Sequence, residues 1–247
     1  MNQPHVTATA ALVVALTAGL TGCTTPFGSD DPSTSQTTTP TPASPSTPAD
    51  SGRGRQLTEQ EATAALPTRP TGAKNVAAQS APEGRATDPA ECLDILRAGP
   101  EGDALRQVRV AHAERTWSTQ DPATSYSFEI DSYSRPVGPA LLDRSGAAMS
   151  SCSTFSLTGE DSAGHFDLRV IAEPRTVPTI GEQNYGARLI TFDQVDGKSV
   201  RVYMDYVVVR AGHNLVAVTS VHRDEDRGRD ELETHAEEIL KDLQDSA

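Results

Sequence analysis

The chain has 247 residues, a formal net charge of −13 and 36% hydrophobic residues, of which few are aromatic. The acidic excess argues against nucleic acid as a partner, because binding to phosphates requires a surplus of Lys and Arg. It also argues against docking of the folded part on an anionic lipid surface, which would repel it.

The N-terminus carries the pattern of a bacterial lipobox. An uncharged apolar segment from Ala8 to Leu20 is too short to span a bilayer and is typical of a signal peptide. It is followed by Thr21-Gly22-Cys23, where a signal peptidase would cut before a lipid-bearing cysteine. We therefore predict a signal peptide over 1–22, lipidation of Cys23 with diacylglycerol and palmitate, and a lipid-anchored lipoprotein on the extracytoplasmic face of the cell membrane. The alternative is a secretory signal cleaved elsewhere, which would leave Cys23 as a free thiol or remove it.

The segment after Cys23 has the composition of a disordered tether. From Thr24 to Asp50, 19 of 27 residues are Thr, Ser or Pro. Such a segment cannot bury enough apolar surface to offset the entropy lost on ordering. We predict a lipidated, disordered tether over 23–56 and a single domain over 57–247, which is long enough for a substantial core.

Two cysteines remain for the domain, Cys92 and Cys152. In an exported protein they most simply form one disulfide. Two buried free thiols are the alternative. A metal site is disfavoured because neither cysteine has a second Cys or His at ligand spacing.

The first part of the domain predicts two short helices separated by a loop. Thr58 and Glu61 form a capping box, which predicts a helix of about two turns. Residues 67–88 are rich in Pro, Gly and Ala and predict a long loop. Pro89 at a first helical position then predicts a second helix over 90–96, which ends before Gly-Pro.

From Arg106 onward an alternation of apolar and polar residues predicts β-strands. The predicted strands lie near 106–110, 126–131, 152–157, 166–171, 187–192, 200–210 and 215–220, with helices over 139–150 and 230–243. Asp196-Gly197 predicts a two-residue hairpin turn before the longest strand. In that strand we expect Arg201, Tyr203 and Asp205 to face solvent. Strands joined by tight turns and a closing amphipathic helix predict an α+β domain.

The order of these segments resembles a known family. The features are a helix opening at Leu57-Thr58, a helix containing Pro89-Ala90-Glu91-Cys92, a helix running into Ser151-Cys152-Ser153-Thr154-Phe155, a strand ending in Val208-Val209-Arg210-Ala211-Gly212, and an acidic closing helix. Over residues 57–246 the chain is similar to the PknH-like extracellular domain, the sensor domain of actinobacterial receptor kinases, which also occurs on stand-alone lipoproteins. The resemblance implies an antiparallel β-sheet flanked by helices, with a cleft, and a ligand sensor with no known reaction.

No catalytic or metal-binding motif is present in the sequence, and we predict no catalytic residues, cofactor or metal ligands. The histidines are scattered, at His112, His165, His213 and His222, and His213 is expected in a solvated turn. The acidic runs 193–196 and 224–226 lack the ligand order of a calcium loop, so a solvated acidic surface is favoured.

Two further residues allow a functional and a structural interpretation. Trp117 could stack on a sugar or line a cleft, although a core or rim position is favoured. Arg210, at the end of a valine-rich strand, could bind an anion, although an ordinary edge or surface charge is favoured.

The sequence is compatible with three candidate functions. The favoured one is a non-catalytic module that binds or senses a small ligand or a protein partner in the cell-wall zone. A basic peptide or protein would meet the acidic region 224–245 first. The second is a lipid or glycolipid carrier, which requires a large apolar cavity. The third is a cell-wall hydrolase, which requires a nucleophile, a base and an orienting group within hydrogen-bond reach.

Overall fold

The computed structural model describes residues 52–76, 83–119, 124–161, 164–226 and 231–245. The predicted signal peptide, Cys23 and the tether up to residue 51 lie outside the described residues. Within them, no helix combines the length and the apolar composition that crossing a membrane requires.

The described chain forms one antiparallel sheet with helices on both faces. The strands are β1 (Lys74–Asn75), β2 (Glu83–Asp88), β3 (Arg109–Ser118), β4 (Ser125–Tyr133), β5 (Thr154–Asp161), β6 (Gly164–Pro174), β7 (Gln183–Val195), β8 (Lys198–Ala211) and β9 (Asn214–His222). Their order across the sheet is β1-β3-β4-β9-β8-β7-β6-β5-β2. The helices are α1 (Glu59–Ala65), α2 (Pro100–Arg106), α3 (Ala140–Ser151) and α4 (Glu231–Asp245), and a 3₁₀ helix spans Ala90–Leu96. The predicted α+β class is confirmed.

Consecutive residues of the central strands enter two different cores. On β8, Tyr206 and Val208 face a core beneath the 3₁₀ helix, α2 and α3, whereas Val207 and Val209 face a core beneath α1 and α4. We call these two sides of the sheet the α3 face and the α4 face. Burial on both faces explains why β8 is a continuous run of Val and Tyr here rather than an alternation.

The prediction of a wet face on the longest strand is wrong for two of its three residues. Arg201 is exposed, with 59% of its side chain accessible. Tyr203 is only 4% exposed and Asp205 only 1%. The reason is electrostatic, because Asp205 lies opposite Arg188 of β7 and is neutralised by it.

The predicted loop over 67–88 contains two strands. β2 pairs antiparallel with β5 at one edge of the sheet, and β1 pairs with β3 at the other. Their residues include no large apolar side chain, so no local pattern marked them, and pairing with a neighbour decides their conformation. Gly99-Pro100, before which the second helix was predicted to end, opens α2, with Pro100 in its first turn.

The turn between β8 and β9 is attached to the segment that precedes α1. Gly212, at φ +55°, lies so close to Gly54 that a Cβ atom at position 212 would overlap the backbone of Gly54. The His213 N–H donates to Gly54 O at 2.9 Å, and Asn214 Nδ2 donates to Arg53 O at 2.9 Å. Residues 52–56 are therefore held by the domain, although the sequence placed them in the tether. His213 is buried, not solvated as predicted, and its Nδ1 lies 2.8 Å from Tyr133 O.

The predicted capping box of α1 is confirmed. The Glu61 carboxylate accepts from the Thr58 N–H at 2.7 Å, and the Glu61 N–H donates to Thr58 Oγ1 at 3.3 Å. Hydrogen bonds from Arg55 and from Thr58 lower the pKa of Glu61 to about 2. The carboxylate thus stays ionised at the helix N-terminus, where its negative charge is stabilising.

The predicted disulfide between Cys92 and Cys152 is present. It joins the 3₁₀ helix to the residue after α3, and both cysteines are buried in the core of the α3 face. The bond therefore fastens the two helical segments of this face to each other across 60 residues of chain.

We expect the Cys92→Ser/Cys152→Ser variant to unfold with a free energy about 4 kcal/mol lower than the parent. The chain-entropy model gives this value for a loop of 60 residues. Urea unfolding of the parent and the variant would measure the difference. Dithiothreitol should produce the same loss in the parent and in a Cys23→Ser control, and no loss in the double variant. A double variant as stable as the parent would contradict the assignment.

Candidate ligand-binding cleft

A cleft of about 630 Å³ opens on the α4 face of the sheet. One wall is the connection from β6 to β7, another is the first part of α4, and the floor is formed by β7 and β8. The charged residues that line the cleft are Glu173, Arg175, Arg188, Asp205, Glu233 and Glu237.

The cleft lies beside α4, where this helix no longer covers the sheet. The apolar residues of α4, among them Leu232, Ile239 and Leu243, pack over the central strands together with α1. Beyond this helix, Arg188 and Asp205 are directly opposed on β7 and β8 and form the floor of the cleft.

Asp205 is the centre of the floor. Its two oxygens accept from Arg188 Nε and Arg188 Nη2, each at 2.8 Å, and Oδ2 also lies 2.8 Å from His222 Nε2. Arg188 in turn donates from Nη1 to Glu225 O at 2.8 Å, and its guanidinium lies 5.1 Å from the centre of the Tyr203 ring. The floor is thus a closed set of charge-assisted hydrogen bonds.

The pKa values in this network shift in the directions that the geometry dictates. Burial by itself would raise the pKa of Asp205, but the hydrogen bonds from His222 and Arg188 outweigh it and lower the pKa below the usual value. The hydrogen bonds to Asp205 raise the pKa of Arg188. Both groups are therefore charged at neutral pH and hold each other in one orientation.

Arg175 ties the wall of the cleft to α4. Its Nη2 donates to both oxygens of Glu233, each at 2.9 Å, and its Nε donates to Oε1 at 3.1 Å. Its Nη1 lies 3.5 Å from Asp205 Oδ1, so the same side chain also reaches the floor. This bidentate pair restricts the movement of the wall relative to the helix.

The rim of the cleft is acidic. Glu173 and Glu237 are exposed, and neither forms an ion pair with another described residue. The cleft is lined by four carboxylates and two guanidiniums. Both guanidiniums are already hydrogen-bonded, that of Arg188 to Asp205 and that of Arg175 to Glu233. The cleft therefore has an excess of negative charge at the place where a ligand would enter.

On the opposite, α3 face, His112, Glu129 and Asp131 have ligand atoms within 4.8 Å of one another, which is a spacing suited to a metal ion. The surrounding cations argue against that use. Arg109 Nη1 donates to Asp131 Oδ1 at 3.1 Å, and Arg97 Nη2 lies 3.8 Å from Glu129 Oε2. Two guanidiniums beside the ligand atoms repel a divalent cation, so this group does not fit a metal.

The structure does not assemble the scattered histidines into a catalytic group. His112 contacts Asp131 and His222 contacts Asp205, on opposite faces of the sheet. Within the described residues, neither ring is hydrogen-bonded to a hydroxyl or thiol. Ser220 lies near His222 on β9, but both are fully buried and out of reach of a substrate. His165 is exposed on β6.

The remaining residues singled out in the sequence have structural positions. Trp117 is 2% exposed and stacks on Phe128 with ring centres 4.3 Å apart, so the predicted core position is confirmed. Arg210 is on the central strand β8 with its side chain 16% exposed, so it is not the edge or surface charge that was favoured; it donates to Val137 O at 3.0 Å and pairs with Glu182 at 2.6 Å. Neither Arg188 nor Arg175 was among the functional residues predicted from the sequence. An arginine interrupting an apolar strand, as in Ala187-Arg188-Leu189, is the signal that would have found the first.

No family model matches the sequence, and no curated protein matches it either. Among solved structures, the fold is similar to the crystal structure of the extracellular domain of PknH from Mycobacterium tuberculosis. That match has a TM-score of 0.52 at 11% identity and covers 77% of this chain and 96% of the other. A structure of an uncharacterized protein from Mycobacterium smegmatis, the Rv0999 ortholog, matches with a TM-score of 0.35 at 16% identity, over 67% of this chain and 78% of the other. The first of these similarities, together with the antiparallel sheet flanked by helices, shows that the chain has the PknH-like extracellular domain fold.

Proposed function

We propose that the chain is an extracytoplasmic, non-catalytic ligand-binding domain, held at the membrane by a lipid on Cys23, whose ligand presents a basic group to the cleft on the α4 face. The observation that carries this proposal is the combination of an ordered floor and an unpaired acidic rim. Asp205, Arg188 and Arg175 are fixed by one another, while Glu173 and Glu237 remain available. An ammonium or guanidinium group of a ligand would supply the missing positive charge.

The two alternative functions have less support. A lipid or glycolipid carrier requires a large apolar cavity, but an apolar cavity on the α3 face, lined by residues such as Leu157 and Met204, measures only about 30 Å³. The large cleft is lined by charged groups. A hydrolase requires an accessible nucleophile hydrogen-bonded to a base. Among the described residues, neither His112 nor His222 is hydrogen-bonded to a hydroxyl or thiol, and Ser220, which lies near His222, is fully buried.

The first test of the cleft measures binding of tri-lysine to the full chain by isothermal titration calorimetry at low ionic strength. We expect Glu173→Gln/Glu237→Gln to weaken binding about tenfold, because it removes two negative charges at the entrance. Binding of the parent should also weaken as salt is raised to ~0.15 M, where screening acts within about 8 Å.

The matched control is Glu91→Gln/Glu160→Gln, which changes the net charge equally at two exposed carboxylates outside the cleft. It should bind tri-lysine like the parent. Equal weakening in both double variants would show attraction to the overall charge and would contradict a site in the cleft. Absence of binding to the parent would also contradict the proposal.

The second test addresses the floor. Asp205→Asn should lower the free energy of unfolding at pH 7 by about 3 kcal/mol, because it leaves the guanidinium of buried Arg188 without its counter-charge. Since folding lowers the pKa of Asp205, its contribution is present above the unfolded pKa of about 3.9 and is lost as the pH falls through the folded value. The parent should therefore lose stability in acid more steeply than the variant.

The control for this test is Asp193→Asn, which breaks the more exposed pair with Arg223. Urea unfolding should show a loss of less than about 1 kcal/mol for it. A loss at Asp205 no larger than that at Asp193 would show that the floor is not the rigid element that the proposal requires.

The third test concerns the anchor. In a bacterial host that processes lipoproteins, the full chain should fractionate with membranes and carry the mass of a diacylglycerol on Cys23. Cys23→Ser should release it into the soluble fraction, whereas Thr38→Ser in the tether should not. Membrane retention of Cys23→Ser would refute lipid anchoring and leave the cleft unaffected.

A further inference from the structure

The inner part of the cleft already holds a guanidinium group, and this group belongs to the chain itself. Arg175 lies on the connection from β6 to β7, and its side chain, which is only 10% exposed, enters the cleft. Its Nε and Nη2 donate to the Glu233 carboxylate of α4, and its Nη1 lies 3.5 Å from Asp205 Oδ1 on the floor. All three nitrogens of this one group are therefore directed at two carboxylates.

These two carboxylates form a subsite that fits a guanidinium better than an ammonium. Nη2 of Arg175 contacts both oxygens of Glu233 at 2.9 Å, Nε contacts Oε1 at 3.1 Å, and Nη1 faces Asp205. A guanidinium is planar and holds its donors in a fixed fork, whereas a lysine ammonium is a compact point charge. An ammonium cannot take the places of three separate nitrogens, so the subsite discriminates between the two basic side chains.

A glycine allows Arg175 to take this position. A Cβ atom at Gly186 of β7 would overlap Val177 Cγ2 and would lie 3.3 Å from Arg175 Cβ. The Arg175 N–H donates to Gly186 O at 3.1 Å. The connection therefore lies directly against β7, which places the Arg175 side chain beside the floor.

A guanidinium from a ligand can replace that of Arg175 without loss of charge pairing. Asp205 has a second counter-charge in Arg188, with two hydrogen bonds of 2.8 Å. Glu233 is the carboxylate that Arg175 neutralises. A ligand that brings its own guanidinium to Glu233 makes the same bonds, and its remaining positive charges meet the acidic rim. The rim thus supplies the difference in free energy that displaces Arg175.

We propose that Arg175 is a built-in occupant of a guanidinium subsite formed by Glu233 and Asp205, and that the ligand of the cleft carries an arginine side chain or a similar guanidinium group that displaces it. This inference rests on the proposed function, since it names the class of basic ligand that the cleft binds. The cleft is self-inhibited in this state. The affinity measured for a ligand is lower than its intrinsic affinity by the fraction of molecules in which the subsite is free.

The test compares tri-arginine with tri-lysine by isothermal titration calorimetry on the full chain at low ionic strength. We expect Arg175→Ala to bind tri-arginine about tenfold more tightly than the parent does, as for a subsite that is free in about a tenth of the parent molecules. The variant should also prefer tri-arginine over tri-lysine by about tenfold, because only a guanidinium reproduces the bonds of Arg175. In the parent this preference should be less than about threefold, because Arg175 competes for the subsite.

The matched control is Arg223→Ala, which removes one positive charge at the pair with Asp193, outside the cleft. Loss of a positive charge strengthens the attraction of any cation, so the ratio of the two affinities is the decisive quantity. Arg223→Ala should leave this ratio as it is in the parent.

A second measurement does not depend on peptide binding. Thermal unfolding of Arg175→Ala is followed in methylguanidinium chloride and in methylammonium chloride at equal concentration. We expect methylguanidinium to give a Tm about 4 °C higher than methylammonium once its concentration reaches about ten times its Kd. The parent should show no such difference, because Arg175 fills the subsite. If Arg175→Ala is too unstable for calorimetry, this measurement decides.

Equal affinities of Arg175→Ala for the two peptides would show that Arg175 only clamps the wall of the cleft to α4, and would overturn this inference. Equal Tm values of the variant in the two salts would have the same meaning. Neither result would affect binding of tri-lysine at the rim of the parent. Conversely, a parent that binds neither peptide, beside a variant that binds tri-arginine, would support the subsite and refute the proposal for the rim.

Discussion

Burial of the sheet on both faces is the constraint on which the rest of the structure depends. Residues 206–209 of β8 and 215–218 of β9 are all buried, so that alternate side chains enter the cores of the α3 face and the α4 face. Because a shift of one residue would exchange the two sets of side chains, the pairing of β7, β8 and β9 is strongly specified. Helices are then needed on both faces, and the disulfide fastens those of the α3 face.

Charged groups gather at two places on the sheet. On the α4 face they form the floor of the cleft, in which Asp205 is satisfied by Arg188 and His222. On the α3 face they form a cluster in which Arg109 pairs with Asp131 and Arg97 lies 3.8 Å from Glu129.

Local signals predicted the elements that depend on local physics. The capping box of Thr58 and Glu61 opened α1 as expected, and Asp196-Gly197, with positive φ at both residues, forms the turn between β7 and β8. The edge strand β2 was missed because its pairing with β5 spans more than 60 residues and leaves no apolar pattern. His213 was predicted to be solvated because it lies in a turn, but contacts with Gly54 before α1 and with Tyr133 bury it.

The sequence by itself determined the α+β class, the positions of most strands and helices and the pairing of Cys92 with Cys152, because periodicity, caps, turns and the count of cysteines are local or additive properties. It also carries the prediction of a lipid anchor at Cys23. Only the tertiary structure decided which charges meet. Arg188 and Asp205 are 17 residues apart, and Arg175 and Glu233 are 58 apart, yet each pair is joined by two or more hydrogen bonds. The energy of such pairs depends on distance and burial, which sequence spacing does not specify before the sheet and α4 are in place.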